Sequence, residues 1–403
     1  MAAAGVGALA AWRYWPEQGL WNPCHARLPR HLADHDLVRA AWEGLDAAKV
    51  WDSHAHLVGI GDAGSGITVN PQTDSLLNPA QYARRLFILN AGCVHDAAGS
   101  VDDAYVDRMR NLVDGLRRGN ENGAKVLLFA FERAHHEDGS ADLEHTMFHV
   151  PDAYARDVAK KFAHDFEWAA SIHPYRADAL EALARAKRDG ARAVKWLPSA
   201  MGIDPASARC RAFYEFLSKN EIPLIAHAGL ERAVPGREAH DFGNPLRLRR
   251  ALDAGVRVVV AHCASMGEDR DLDKGANGPY VNSFLLFERL MDQKRFEGRL
   301  FGDISAMTQV NRAGPALARV LEREDWHPRL LNGSDYPLPG VMPIFSVDYL
   351  ESSGFLKEGM GQIFKEIRAH NPLLFDFVLK RHLQWNNKSF PAGVFETRGF
   401  FMR

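Results

Sequence analysis

From residue 50 onward the chain keeps one rhythm, in which eight short apolar or β-branched runs alternate with stretches whose apolar residues recur at helical spacing. The runs are VWDSHAHL (50–57), KVLLFAFE (125–132), FEWAASIHPY (166–175), ARAVKWLP (191–198), IPLIAHAG (222–229), VRVVVAHC (256–263), RLFGDISA (299–306) and RLLNGSDY (329–336). A run such as VRVVVA has no alternating polar face, so both of its faces need cover, as they do in a parallel sheet flanked by helices. Between the runs the spacing predicts helices in NPAQYARRLFILNAGC, VDDAYVDRMRNLVDGLRRG, ADALEALARAKRDG, ASARCRAFYEFLSKN, NPLRLRRALDAG and SFLLFERLMDQK, several of them closed by Gly or Asn. Eight such units imply a closed (β/α)8 TIM barrel of the α/β class, with an open doubly wound sheet as the alternative. Residues 1–49, aromatic and broken by Pro, form an N-terminal arm. Residues 50–403 hold the barrel and, from 341, a C-terminal helical extension containing GQIFKEIRAHNPLLFDFVLKRHL.

The makeup fits one large enzyme-sized unit: 403 residues, 46% apolar and 25% charged. Lys+Arg of 49 against Asp+Glu of 51 leaves a net charge of -2, so no field of one sign draws the molecule to nucleic acid, and the expected partner is a small-molecule substrate. A homo-oligomer is also expected. The four cysteines, Cys24, Cys93, Cys210 and Cys263, are widely spaced with no CxxC, and read as reduced, buried thiols. Residues 2–12 (AAAGVGALAAW) are too few to span a bilayer and lack a basic flank on the N-terminal side. They read either as a frayed terminus or as the stub of a membrane tether belonging to a longer natural N-terminus, which leaves a cytoplasmic and a membrane-associated location both open.

His54 and His56 stand at i and i+2, so both rings leave one face of the first strand and two imidazoles can grip one cation. Alone the pair means little among 18 histidines. Repetition of position is what gives it weight. His227 ends IPLIAH, His262 ends VRVVVAH and Asp335 follows RLLNGS, each at the C-terminal end of its run, and in a barrel all those ends meet at one mouth. Neutral imidazoles and a carboxylate suit zinc or a similar divalent ion with one position left for water. Such an ion lowers the pKa of its water toward about 7, and Asp335 is placed to take the proton and return it to a leaving group.

WDSHAHL, AVKWLP, PLIAHAG, VVVAHCAS and NGSDYPLP together resemble the strand ends of the amidohydrolase superfamily, in particular the amidohydrolase-related branch that includes aminocarboxymuconate-semialdehyde decarboxylase. The resemblance covers about residues 50–340. It implies a (β/α)8 barrel with His54, His56, His227 and Asp335 around one metal, and with His262 as either a catalytic polarising group or a ligand to a second ion. Lys195 stands where members with two metals carry a carboxylated bridging lysine. In a one-metal site the same ammonium would bind a substrate carboxylate, and a structural salt bridge is the third reading.

Four more residues are candidates for substrate contact: His173, Tyr175 and Arg176 at the end of the third run, and Arg232 after HAGLE. A guanidinium there would hold an anionic group. Arg312 carries the same reading more weakly, and Asp303 would pair with an arginine or orient a ligand histidine from behind. Histidines 135, 136, 145 and 149 fall in the long loop after the second run and read as the rim of a mobile lid. GIGDAG (59–64) spells GxGxxG, but no helix opens after it, so a nucleotide site is set aside and the glycines are read as folding that loop over the mouth. The leading expectation is a metal-dependent hydrolase acting on an amide, lactone or related bond of a small anionic substrate. Non-oxidative decarboxylation of an unsaturated or aromatic acid is the alternative. A non-catalytic metal-containing binding protein, which would show a closed coordination shell and a filled mouth, is the third.

Overall fold

The computed structural model describes residues 16–117, 123–234 and 239–402, so the apolar run 2–12 lies outside the described residues. Every one of the eight runs contains a strand: β1 (Trp51–His56), β2 (Lys125–Phe129), β3 (Phe166–Ala169), β4 (Val194–Trp196), β5 (Leu224–His227), β6 (Val258–Ala261), β7 (Leu300–Asp303) and β8 (Leu330–Leu331). All pair in parallel with their neighbours in chain order, in two arcs, β1 to β3 and β4 to β8. Single parallel bridges, Ala170 to Val194 and Ala55 to Tyr336, join the arcs at both seams. Across the second seam the Asp335 N–H donates to the His54 carbonyl at 2.7 Å and the His56 N–H to the Tyr336 carbonyl at 2.8 Å. The ring is thereby closed as a TIM barrel.

Alternation along the strands sorts side chains into an outer and an inner layer, both buried. Val126, Leu128, Val194, Trp196, Leu224 and Val258 face the surrounding helices. Leu127, Ala193, Ile225, Val259, Phe301 and Leu331 face inward as a separate apolar floor, which Phe400 and Phe401 of the short helix Arg398–Phe401 plug from below. Each buried aromatic of the plug contributes roughly 1.5–3 kcal/mol. Two residues beyond a floor residue, the same face is reached again at the mouth: Leu127 leads to Phe129, Ala193 to Lys195, Ile225 to His227 and Phe301 to Asp303. In β1 the pairing register slips by one residue between Asp52 and Ala55. That bulge lets Trp51 lie in the floor while His54 and His56, an odd number of positions away, also turn inward.

The helices named from the sequence are present, including Pro79–Ala91, Val101–Arg117, Ala179–Arg188, Arg211–Lys219 and Ser283–Met291. Two others, Asp152–Lys161 and Pro315–Glu322, are short and were not distinguished by their spacing. The C-terminal extension is two helices, Gly361–His370 and Pro372–His382, broken where Pro372 removes a backbone donor and Asn371 caps the second by accepting the Leu374 N–H. The arm packs onto this extension: Glu17 accepts from the Ser346 hydroxyl at 2.9 Å, and Leu32, Val38 and Ala41 are buried in the main core. No helix among the described residues is long and apolar enough to cross a membrane.

The expectation of four reduced thiols is overturned for two of them. Cys24 and Cys93 form a disulfide across 69 residues, with Cα atoms 5.5 Å apart, while Cys210 and Cys263 are free and buried. No local spacing encodes this pairing. The arm is brought to the end of the helix Pro79–Ala91 by Asn22 and Asn90, whose side chains and backbones bond each other (Asn22 N–H to Asn90 Oδ1, 2.7 Å). Cross-linking a loop of this length stabilises by about 2–4 kcal/mol.

Candidate active site

At the mouth the structure gathers His54, His56, His227, His262, Asp335 and Lys195 around one cavity of about 420 Å³. Asp335 is the hub. Its Oδ1 lies 3.3 Å from His54 Nε2 and 3.2 Å from His56 Nε2, and its Oδ2 lies 3.8 Å from His262 Nε2. His54, His262 and Asp335 each offer a ligand atom, all within 4.8 Å of one another. The His227 ring is 5.2 Å from that of His262.

Three of the imidazoles are tied from behind through Nδ1. His54 Nδ1 meets Asp303 Oδ2 at 2.9 Å, His262 Nδ1 meets the Ser305 carbonyl at 3.0 Å and His227 Nδ1 meets Glu231 Oε2 at 3.2 Å. All three partners are acceptors, so the network assigns the ring proton to Nδ1 and leaves a lone pair on each Nε2. The lone pairs of His54 and His262 face the Asp335 carboxylate, and His54 Nε2 also meets the Lys195 Nζ at 3.2 Å. The His227 Nε2 is buried with no hydrogen-bond partner. Lone pairs facing an anion repel, and a cation between them removes the conflict, so the donor set fits a divalent ion. Burial holds the pKa of His54, His227 and His262 below the usual histidine value, which keeps them neutral as ligands must be. Burial opposes ionisation of Asp335, but the neighbouring His54, His56 and Lys195 hold its carboxyl below the ordinary value.

The backbone at these positions is unusual. His262, Cys263 and Ala264 are consecutive left-handed residues with φ of 56, 50 and 49°, and Asp335 has φ of 61°. Strained non-glycine residues of this kind persist where surroundings over-determine them. Here Asp303 does so, accepting the His262 N–H at 2.9 Å and the Ser305 N–H at 3.0 Å. Behind Asp335, Asp52 accepts the Ser334 N–H at 2.8 Å and the His54 N–H at 3.1 Å, and the buried Lys380 donates to the Gly333 carbonyl at 2.6 Å and to Asp376 at 2.6 Å. Gly333 is required there, since a Cβ would meet the His54 Cβ at 2.5 Å. Of the two expectations for Asp303, it is the histidine and not an arginine that its carboxylate meets, at His54 Nδ1. Replacing Asp303 by Asn should weaken metal affinity by about 10–100-fold, read by competition with a chelating dye, with the melting temperature as a check on folding.

Lys195 is 1% exposed, and burial pushes its pKa down to about 8. Its Nζ lies 3.2 Å from His54 Nε2 and 5.0 Å above the Phe129 ring, with no acid in ion-pair reach among the described residues. The salt-bridge reading of Lys195 is thus not what the structure places there. Arg232 lines the cavity. His173, Tyr175 and Arg176 do not. His173 bonds the Met201 carbonyl, Tyr175 approaches Asp204, and Arg176 is paired with Glu132 and Asp178, because the chain leaves the barrel after Ala170 and carries these side chains behind the wall. Their place beside the cavity is taken by Arg312, 8% exposed, whose Nη1 donates to Ser265 Oγ at 3.2 Å and whose Nε has no partner. Glu231, Ser305 and the mouth arginines Arg84 and Arg85 were not singled out by sequence. Glu231, four residues after His227 in HAGLE, was the one with a readable signal.

The loop spelling GIGDAG folds against the mouth, with Gly59 and Ile60 in the cavity wall. Asp102 accepts the N–H groups of Ile60 and Gly61, and Asp62 in return accepts those of Val101 and Asp102. Of the loop histidines, 135 and 149 are buried and 136 and 145 sit beside Asp142, so the four do not form a common rim.

Residues 51–342 match the family model described as Amidohydrolase. No curated protein matches the sequence. Among solved structures the chain is similar to an uncharacterised TIM-barrel protein from Bordetella bronchiseptica, at 16% identity over 78% of this chain and 94% of that one, with a TM-score of 0.45. It is also similar to 5-carboxyvanillate decarboxylase from Sphingomonas paucimobilis (12% identity, 79% and 96% covered, TM-score 0.44). A third is 4-oxalomesaconate hydratase from Rhodopseudomonas palustris (14% identity, 80% and 96% covered, TM-score 0.41). At such identities and scores these likenesses lend nothing to the choice of reaction.

Proposed function

The chain belongs to the amidohydrolase family, and on that premise we propose that it is a metal-dependent hydrolase of a C–N or C–O bond, an amide, lactone or relative, in a small anionic substrate. The observation that carries this reading is the set of three imidazoles anchored through Nδ1, of which His54 and His262 turn Nε2 toward the Asp335 carboxylate while the His227 Nε2 is buried without a partner. His54, His56, His227 and Asp335 would hold the divalent ion, zinc or a similar one. When bound, that ion acts as a Lewis acid and makes water a nucleophile near neutral pH.

The residues of the chain do the rest. Asp335, kept ionised, takes a proton from the attacking water and delivers it to the leaving nitrogen or oxygen. His262, with its proton on Nδ1, offers a lone pair and not a donor, which favours a role as a further ligand over that of a polarising donor. Arg312, buried and with an unpartnered Nε, and Arg232 at the rim suit a carboxylate of the substrate, while Phe131, Phe148 and Ile344 give its body an apolar seat.

A second reading, non-oxidative decarboxylation, is favoured by Lys195, whose unpaired buried ammonium beside His54 would hold a departing carboxylate next to the ion. Purified protein should contain metal, and removing it with a chelator should abolish turnover that added metal restores. A panel of lactones and amides against aromatic and unsaturated acids, with product and CO2 both measured, separates the two reactions. Bound metal with no turnover on either panel would leave only the non-catalytic reading. The metal-to-protein ratio reads Lys195: one ion leaves it an ammonium, and two require its carboxylated form.

A further inference from the structure

A second cavity, of about 380 Å³, lies between the helices Asp152–Lys161 and Ala179–Arg188 and shares a wall with the catalytic one. Two extended segments serve both spaces. Phe131 and Phe148 line the catalytic cavity, while their chain neighbours Glu132 and His149 line the second. Consecutive side chains of an extended strand leave opposite faces, and Phe131 and Val150 lock the two segments together by reciprocal backbone bonds of 2.9 Å.

The second cavity is bordered by four arginines. Arg176 is engaged by Glu132 and Asp178, Arg156 by Asp157 and Asp189, and Arg185 by Glu181. Arg133 has no acid in ion-pair reach among the described residues. His149, 7% exposed, keeps its Nδ1 buried and without a hydrogen-bond partner, and burial reinforced by Arg133 pushes its pKa down to about 4. The helix Asp152–Lys161 begins here with Pro151 as its cap and no side-chain acceptor for its first N–H groups. Such a helix start favours anions. Asp152, the first residue of that helix, accepts the Ser171 N–H at 2.8 Å, and burial pushes its carboxyl up to about 7, so it is about half protonated at neutral pH.

We propose that this cavity is a binding site, distinct from the catalytic one, for a small oxyanion, a carboxylate or a phosphate, seated between Arg133, His149 and the first turn of the helix Asp152–Lys161. Neither the metal ligands nor Arg312 takes part.

Isothermal titration of the full chain with inorganic phosphate, and separately with acetate, tests it and tells the two oxyanions apart. At least one should bind one-to-one with Kd below about 10 mM. Arg133→Gln should weaken that binding about tenfold or more, as loss of a charge-assisted contact requires. His149→Phe, which fills the cavity, should abolish it, and serves alone if Arg133→Gln does not fold. Arg312→Gln and chelation of metal should leave it unchanged, so the outcome stands apart from that of the catalytic reading. No binding of either anion overturns the proposal. So does binding that is lost on chelation or with Arg312→Gln and survives Arg133→Gln and His149→Phe.

Discussion

Asp335→Asn is expected to keep the barrel folded and to lower kcat/KM by about 1,000-fold or more, since the amide matches the carboxylate in size but takes no proton from water. The geometry makes the effect large. Among the described residues, Asp335 is the one side chain whose oxygens face the Nε2 atoms of His54, His56 and His262 together. Near-normal turnover at unchanged metal content would remove it from the proton path. Loss of activity with loss of metal would make it a ligand only, and metal analysis beside the kinetics tells these apart.

Lys380→Met is expected to be the most destabilising single change among the residues that support the site, by about 3–5 kcal/mol, because it leaves Asp376 buried beside no cation. Lys380 and Asp376 are each 1% exposed, and Lys380 also holds the Gly333 carbonyl just ahead of the ligand strand end. The double variant Asp376→Leu with Lys380→Met should recover most of the loss, since burying two apolar groups avoids desolvating two charges. Urea denaturation of the parent, the two single variants Lys380→Met and Asp376→Leu, and the double variant gives the coupling directly. Two single variants as stable as the parent would show the pair to be idle.

Much of the frame was legible because a parallel barrel writes itself locally. Each strand is a short apolar run, and the residue that ends it falls at the mouth whatever the rest of the chain does. That is why His54, His56, His227, His262 and Asp335 were found without coordinates. His173, Tyr175 and Arg176 misled for a related reason. Their run continues in sequence, but the formal strand stops at Ala169, and the side chains beyond turn outward to Met201, Asp204 and Glu132. Arg312 was undervalued because it follows β7 by several residues, on a loop whose path no periodicity sets. Ser305 and Lys380 were invisible, because each acts through a backbone carbonyl, Ser305 by offering its own to His262 Nδ1 and Lys380 by donating to that of Gly333. The disulfide was missed because Cys24 and Cys93 meet only after the arm has docked.

That bond ties the arm to the helix Pro79–Ala91, and the same helix lends Arg84, Arg85 and Ile88 to the catalytic entrance. Reduction of the bond would therefore release the arm from a helix that borders the cavity, at a distance from the clustered imidazoles. Preparations made with and without reductant need not share a KM, even when their metal content and kcat agree.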